Sequence, residues 1–206
     1  MIGVYDYTVI ATYAALIISI QGIFASAAGR PEVGLLCLMI CGMIDTFDGR
    51  IARSKKDRTE EGKLFGIQID SLNDLVCFGV LPVSIGFSLG MTGGASRMIL
   101  SLFALAALIR LAYFNVLEEK RQRETAAERI SYMGLPVTTV SVVMPFFFLL
   151  SEYLGISHTP VFTVVLLVLA VAFITPLKVR KLKLPGIILA GIVVIAEAGL
   201  MIRMVF

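Results

Sequence analysis

Four aspartates stand in two pairs around the first strongly charged segment of the chain. Asp45 and Asp48 lie near the end of one apolar stretch, and Asp70 and Asp74 lie near the start of the next. Spacings of three and four residues place each pair on one face of a helix. Because one charged loop joins the two helices, they can pack side by side, and we expect the four carboxylates to converge.

Such a group of carboxylates indicates metal-dependent chemistry. Closely spaced carboxylates cannot all remain ionised without a cation. Ligands that are all oxygen, without His or Cys, favour Mg²⁺ or Mn²⁺, and four carboxylates suit two ions. Ions of this kind bridge protein carboxylates and substrate phosphates, which predicts phosphoryl-type transfer on a diphosphate. The alternative is that the aspartates only pair with Arg50 and Arg53 at the water interface.

Small residues and an arginine accompany the aspartates at helical spacing. Gly49 and Ala52 follow Asp45 on the same face of its helix, and Gly66 stands one turn before the second pair. Small side chains would let a bulky ligand approach the backbone, or else let two helices pack closely. Arg53, directly after Ala52, is suited to hold a phosphate.

Taken in order, these residues resemble a known signature. The chain reads Asp-Thr-Phe-Asp-Gly-Arg-Ile-Ala-Arg over residues 45–53 and Gly-x-x-x-Asp-x-x-x-Asp over residues 66–74. This is similar to the signature of the CDP-alcohol phosphotransferases, D-x-x-D-G-x-x-A-R followed by G-x-x-x-D-x-x-x-D, and every specified position is present. The spacer, residues 54–65, is longer than the family usually has, and it is rich in charged residues.

The resemblance implies a role for each residue of the signature. The four aspartates would bind the metal ions, and Asp74 would also be the base that deprotonates the acceptor hydroxyl. The residues implied to contact CDP-diacylglycerol are Asp45, Gly49, Ala52, Arg53, Thr59 and Gly66. Thr59 is included as a hydroxyl residue of the loop, although the longer spacer leaves open which loop residue matches the family's nucleotide contact. The family also implies a homodimer.

Segments beyond the signature resemble the phosphatidylserine synthase branch of the family. They lie at residues 70–82, 110–115 and 134–136. This likeness implies L-serine as the acceptor, with CMP and phosphatidylserine as the products. Arg110, inside an apolar stretch, would then bind the serine carboxylate, with Asn115 as a polar neighbour. Alternatively, Arg110 pairs with one of the aspartates or with a lipid phosphate.

The composition shows what kind of scaffold carries these residues. The 206-residue chain is 58% hydrophobic and 16% charged, with a mean hydropathy of +0.91, which is typical of a membrane protein. Seven stretches are long enough to cross a bilayer as helices. They span residues 7–27, 33–51, 65–89, 97–117, 133–154, 160–177 and 185–205. We therefore predict an all-α, polytopic membrane bundle that forms a single domain over residues 1–206.

The distribution of charge predicts the orientation of the bundle. Fourteen of the 18 Lys and Arg residues fall at 50–63, 118–129 and 178–183, all on one side of the predicted membrane. The positive-inside rule makes this side cytoplasmic and places the aspartates there, in the cell membrane. The N-terminal stretch lacks the basic start of a cleavable signal peptide. A net charge of +3 gives no indication of nucleic-acid binding.

Several other functions remain to be weighed. A sister enzyme using glycerol 3-phosphate or inositol phosphate would call for several basic residues in its cavity, whereas only Arg110 lies clearly inside a span. An ether-lipid donor is equally compatible with apolar walls. A membrane prenyltransferase normally has its two aspartate motifs far apart in sequence. A cation transporter or channel would explain carboxylates in the membrane, but not the glycines and Arg53 at fixed spacing.

Overall fold

The structure is a computed structural model that describes residues 3, 5, 7–54, 59–124, 131–176, 178–180 and 184–205. In these ranges the chain forms eight α-helices: α1 (Tyr7–Ala27), α2 (Pro31–Ser54), α3 (Glu60–Asp74), α4 (Leu81–Ser88), α5 (Gly94–Glu124), α6 (Val140–Leu154), α7 (His158–Ile174) and α8 (Leu184–Val205). A π-helical turn, Leu75–Val80, joins α3 to α4, and a 3-10 turn, Val137–Thr139, leads into α6. Two short strands, β1 (Ser131–Met133) and β2 (Lys178–Arg180), pair antiparallel.

The helices confirm the predicted all-α membrane architecture. Because α3, the π turn and α4 form one continuous rod, the eight helices make seven rods that correspond to the seven predicted stretches. Within the part of the chain that the structure describes, four segments are long and apolar enough to cross a membrane: Val9–Ala27, Leu64–Ser88, Gly94–Glu119 and Val137–Leu154. Helix α7 is also apolar and has 17 residues. The multi-pass character is therefore supported, while the count of seven spans stays a prediction.

Apolar side chains occupy both the inside and the outside of the bundle. The largest fully buried ones include Leu38, Phe78, Ile85, Phe103, Met144, Phe162 and Phe173. Large apolar side chains such as Ile17, Phe24 and Val168 are more than half exposed on the outer faces of their helices. An extensive exposed apolar surface is unfavourable in water but matches the hydrocarbon of a bilayer.

Three glycines close the turns at the end of the bundle far from the aspartates. Gly29, Gly90 and Gly155 end α1, α4 and α6 with φ of +79°, +96° and +64°, a conformation that glycine adopts without steric cost. At each turn the glycine N–H donates to the carbonyl three residues back, and the next N–H donates five residues back, at 2.9–3.2 Å. These paired bonds satisfy the last helical carbonyls and allow the chain to reverse within a few residues.

The π turn lies directly after the aspartates of α3, and a proline at its far end explains it. Pro82 cannot donate to the carbonyl four residues back, and its ring would clash with that carbonyl in a regular helix. The chain widens instead, and the Leu81 N–H donates to Val76 O, five residues back. A single wide turn of this kind is frequent at functional sites.

The end of the bundle that carries the aspartates differs from the prediction in two ways. Helix α5 continues to Glu124, so that residues 118–124 of the predicted loop are helical. Residues 131–133, where the fifth span was predicted to begin, form β1, and the helical run starts at Val137. Strand β1 pairs with β2 in a register that places the Cα of Ser131 opposite that of Arg180 and the Cα of Met133 opposite that of Lys178. The ribbon links the connection before α6 to the connection before α8.

Close packing of α2 against α6 gives a first prediction. A Cβ added to Gly42 would lie 2.7 Å from Ser141 Cβ, which is too close for the two helices to remain in place. We expect Gly42→Ala to lower the stability by about 1–3 kcal/mol, the usual range for an overpacked contact. The measurement is the temperature at which the detergent-solubilised protein loses its monodisperse size-exclusion peak.

Gly199→Ala is the matched control for this substitution. Gly199 lies inside α8, and an added Cβ there would meet nothing within 4 Å. The same chemical change should therefore leave the midpoint unchanged or raise it slightly, since alanine favours the helix. Equal midpoints for the two variants would contradict the packing of α2 on α6.

Candidate metal centre

Three of the four predicted carboxylates converge in the structure. Each of Asp45 on α2 and Asp70 and Asp74 on α3 offers a carboxylate oxygen, and these oxygens lie within 4.8 Å of one another. Asp74 is buried, with 8% of its surface exposed, while Asp45 and Asp70 are half-buried. Helix α2 and the rod that begins with α3 are therefore neighbours, as the sequence predicted.

Helix α1 packs against the segments next to the carboxylates. Cys41, one turn before Asp45, is buried and donates its thiol to Ala15 O at 3.4 Å. Cys77, three residues after Asp74, is also buried, and its sulfur lies 3.7 Å from the same carbonyl and 3.5 Å from Asn73 Oδ1. One carbonyl of α1 thus contacts both the helix that carries Asp45 and the π turn that follows Asp74. The thiols act as small buried side chains with a weak donor.

The donor set fits a hard divalent cation. The three residues offer oxygen atoms only, close enough together for one ion to bind all of them, as Mg²⁺ and Mn²⁺ prefer. Three negative charges at this spacing, partly removed from water, would also be stabilised by a positive charge near them. Asp45, Asp70 and Asp74 would therefore hold such an ion.

Four of the predicted site residues belong to the last part of α2. Helix α2 continues through residues 48–54, but the side chains of this segment lie outside the described residues. The predicted roles that fall there are those of Asp48, Gly49, Ala52 and Arg53. These roles, including the fourth metal ligand, stay predictions.

Thr59 and Gly66 are positioned by α3. Thr59 is the N-cap of this helix, and its hydroxyl accepts a hydrogen bond from the Gly62 N–H at 3.1 Å. Thr59 is exposed, and Gly66 is half-buried one turn before Asp70. The capping bond gives Thr59 a structural role at the start of the helix. The predicted contacts of both residues with the donor stay predictions.

Arg110 is buried in α5 and held by the segment that precedes α6. Only 6% of its surface is exposed. Its Nε donates to Leu135 O at 3.2 Å, and its guanidinium carbon lies 5.4 Å from the centre of the Phe114 ring. Gly134, with φ of +81°, packs against the same guanidinium. These contacts fix the direction of the side chain within the bundle.

Asn115 faces a different neighbour, because five residues along a helix turn a side chain well away from Arg110. The Ser71 hydroxyl of α3 donates to Asn115 Oδ1 at 2.6 Å. Ser71 directly follows Asp70, so this bond joins α5 to the helix that carries two of the three carboxylates. The structure thus brings Asn115 beside the metal centre and places Arg110 toward Leu135.

Sequence reasoning missed Ser71, the carbonyl of Leu135 and the π turn. A serine between two aspartates of a signature gives no indication of its partner 44 residues later. The partner of Arg110 at Leu135 is a backbone carbonyl, which every residue has, so the sequence does not single it out. Pro82 was the available indication of the π turn, since a proline inside a predicted span marks an interrupted helix.

Comparisons with known proteins identify similar sequences. A family model described as CDP-alcohol phosphatidyltransferase matches residues 8–177. The chain is 39% identical over 109 residues to the CDP-diacylglycerol–serine O-phosphatidyltransferase of Saccharomyces cerevisiae, covering 52% of this chain and 38% of that protein. It is 29% identical over 135 residues to the enzyme of the same name from Helicobacter pylori, covering 65% of this chain and 53% of that protein.

An archaeal protein is also similar. The chain is 27% identical over 146 residues to the archaetidylserine synthase of Methanothermobacter thermautotrophicus, covering 70% of this chain and 55% of that protein. The chain therefore spans about half the length, or less, of the curated relatives it matches.

The surroundings of Arg110 give a second prediction. Alanine at Gly134 would have a strained positive φ, and its Cβ would lie 3.0 Å from Arg110 Nε and 3.1 Å from Phe173 O. Alanine at Gly155 would have a similar strain, at φ of +64°, but would meet nothing within 4 Å. We expect Gly134→Ala to be less stable than Gly155→Ala by about 1–3 kcal/mol, because only the first overpacks its site.

Thermal unfolding of the two variants in the same detergent measures this difference. The strain of the positive φ is common to both, so it cancels in the comparison. Equal unfolding temperatures would show that Gly134 is needed only for its backbone conformation and not to leave room for Arg110.

Proposed function

Because the chain belongs to the CDP-alcohol phosphatidyltransferase family, we propose that it transfers the phosphatidyl group of CDP-diacylglycerol to the hydroxyl of L-serine. The products are CMP and phosphatidylserine. The observation that carries the proposal is the convergence of Asp45, Asp70 and Asp74, which is suited to a cation that binds a diphosphate. The names of the three relatives described above support a serine-derived lipid as the product.

The proposed reaction breaks one phosphorus–oxygen bond and forms another. The serine hydroxyl oxygen attacks the phosphorus that carries the diacylglycerol, and the bond from that phosphorus to the CMP oxygen breaks. Asp74 accepts the hydroxyl proton, and CMP leaves with the electron pair of the broken bond. A hard divalent cation bound by the carboxylates would neutralise the diphosphate and make CMP a better leaving group.

The buried position of Asp74 suits the role of base. A carboxylate within a bundle is shielded from bulk water, so a proton from the acceptor can pass to it directly. Asp45 and Asp70 are more open and would serve, together with Asp74, as cation ligands. We propose Mg²⁺ or Mn²⁺, in one or two sites, with Asp48 as a further ligand.

Arg110 is proposed to bind the serine carboxylate. A guanidinium in the interior of a membrane protein is stable when it is hydrogen-bonded and close to an anion. The bond from Nε to Leu135 O fixes one edge of the group. A serine carboxylate would be a suitable anionic ligand for this guanidinium when the acceptor is bound.

The membrane setting of the reaction follows from the charges of the chain. We propose that the site lies at the cytoplasmic side of the cell membrane, since the positively charged segments flank the helix ends that carry the aspartates. The acyl tails of the donor would remain among the membrane lipids. We also propose a homodimer, as the family resemblance implies.

The assay that tests the function measures CMP release by the purified protein in detergent. With CDP-diacylglycerol, serine and Mg²⁺ or Mn²⁺, we expect CMP and phosphatidylserine in equal amounts, and no release after EDTA treatment. Glycerol 3-phosphate, inositol phosphate and an ether-lipid analogue of the donor are tested in parallel. CMP release only with one of the phosphorylated acceptors would overturn serine as the substrate, and release with none of them would overturn the transferase function.

Removal of the proposed base gives a third prediction. Asp74→Asn keeps the size of the side chain but cannot accept the proton, so we expect turnover to fall about 10²–10⁴-fold, the usual contribution of a general base. Binding of CDP-diacylglycerol, followed by competition with a labelled analogue, should change far less. Glu32→Gln, the same acid-to-amide change at the other end of the bundle, should retain turnover. Near-normal turnover of Asp74→Asn would refute its assignment.

Loss of the buried arginine gives a fourth prediction. We expect Arg110→Ala to raise the KM for serine about 10- to 100-fold, because a hydrogen-bonded charged group contributes about 1.5–3 kcal/mol. The KM for CDP-diacylglycerol should change little. Arg203→Ala, at an exposed arginine on α8, is the control and should leave both unchanged. Equal increases for both substrates would indicate a structural role for Arg110.

A further inference from the structure

A hydrogen bond between α3 and α5 lies at the edge of the metal centre. Ser71 Oγ and Asn115 Oδ1 are 2.6 Å apart, a short distance for a hydroxyl that donates to a neutral amide. Both side chains are half-buried, so the pair is neither in the dry core nor on the open surface. The pair joins two helices that are far apart in the sequence.

The position of Ser71 places this bond beside the proposed base. Ser71 follows Asp70 and precedes Asp74 by three residues, and side chains at that spacing on a helix lie about 5–6 Å apart on one face. The Asn115 carboxamide, fixed to the Ser71 hydroxyl, is therefore a neighbour of the Asp74 carboxylate on the α5 side.

The direction of the bond determines what Asn115 can still bind. A carboxamide has one acceptor oxygen and two N–H donors. The Ser71 hydroxyl uses the oxygen, which leaves the N–H groups to contact a bound molecule. Oxygen atoms of an acceptor alcohol or its carboxylate are suitable partners for these donors. Arg110, which is turned toward Leu135, would approach such a molecule from another side.

We propose that Ser71 is a positioning residue of the acceptor subsite, where its hydroxyl holds the Asn115 carboxamide with the N–H groups toward an acceptor bound beside Asp74. This inference rests on the proposed transferase function and adds a residue that acts through Asn115. Ser71 itself touches neither the metal ion nor the donor in this arrangement. It couples the orientation of an acceptor-binding group on α5 to the helix that carries the base.

Steady-state kinetics of Ser71→Ala, Ser71→Thr and Asn115→Ala test the proposal. We expect Ser71→Ala to raise the KM for serine about 3- to 10-fold, which corresponds to the loss of one neutral hydrogen bond. The KM for CDP-diacylglycerol should stay within about twofold of the wild type on the same grounds. Ser71→Thr keeps the hydroxyl and should restore the KM for serine. Asn115→Ala should have an effect at least as large as that of Ser71→Ala.

A double-mutant cycle shows whether Ser71 acts through Asn115. If it does, Ser71→Ala combined with Asn115→Ala should raise the KM for serine no further than Asn115→Ala alone. Additive effects would overturn the positioning role. Asn115→Asp can still accept the bond from Ser71 but presents no N–H group, so it should bind serine as weakly as Asn115→Ala or more weakly. Normal affinity for serine in Asn115→Asp would also overturn the proposal.

Ser84→Ala separates a binding role from a helix-packing role. Ser84 is half-buried in α4 and donates to Ile23 O of α1 at 3.3 Å, so it is another hydroxyl that joins two helices. Its loss should lower thermal stability as much as the loss of Ser71 without changing the KM for serine. If Ser71→Ala changes only thermal stability, its bond is a packing contact and the proposal is wrong.

Failure of this inference can be told apart from failure of the proposed function. If the wild type releases CMP only with another acceptor, the serine assignment fails, and the same variants are measured with that acceptor. If the wild type uses serine and Ser71→Ala leaves its KM unchanged, only the inference fails. An absence of CMP release with every acceptor would overturn both.

Discussion

The repulsion between Asp45, Asp70 and Asp74 is the constraint that explains most of the surrounding structure. Three carboxylates with oxygens within 4.8 Å of one another would separate if their helices could move, because charges interact strongly where water is scarce. Tight packing opposes that separation. The sulfur atoms of Cys41 and Cys77 contact Ala15 O of α1, and glycines allow further close contacts between helices. A hard divalent cation bound by these residues would add further compensation.

The π turn links this charged region to the apolar interior. A wide turn inserts one extra residue into a helix, and one residue corresponds to a rotation of about 100°. Side chains after Val80 therefore face a direction that a regular helix would not give them. The rod that carries polar Asp70 and Asp74 at one end can thus direct Leu81 and Ile85 into the fully buried core at the other.

The sequence predicted most of the fold and the centre of the site, for physical reasons. Long apolar stretches predict membrane helices, because a helix needs a minimum length to cross the bilayer. Spacings of three and four residues show which aspartates share a helix face. The pairing of β1 with β2, the bond from Ser71 to Asn115 and the contact of Arg110 with Leu135 O could not be predicted. Each joins residues distant in sequence, and its partner is a backbone group or an ordinary polar side chain.

The glycine turns at Gly29, Gly90 and Gly155 have a mechanical consequence. Each ties two helices together with hydrogen bonds and almost no slack, so the helices of a hairpin cannot slide along one another. The motion that remains is a small change in the angle between the two helices, with the glycine turn as the hinge. The amplitude of such a motion grows with distance from the joint and is largest where the carboxylates lie. A ligand at that end would therefore need only a small change of helix angle while the turns keep their shape.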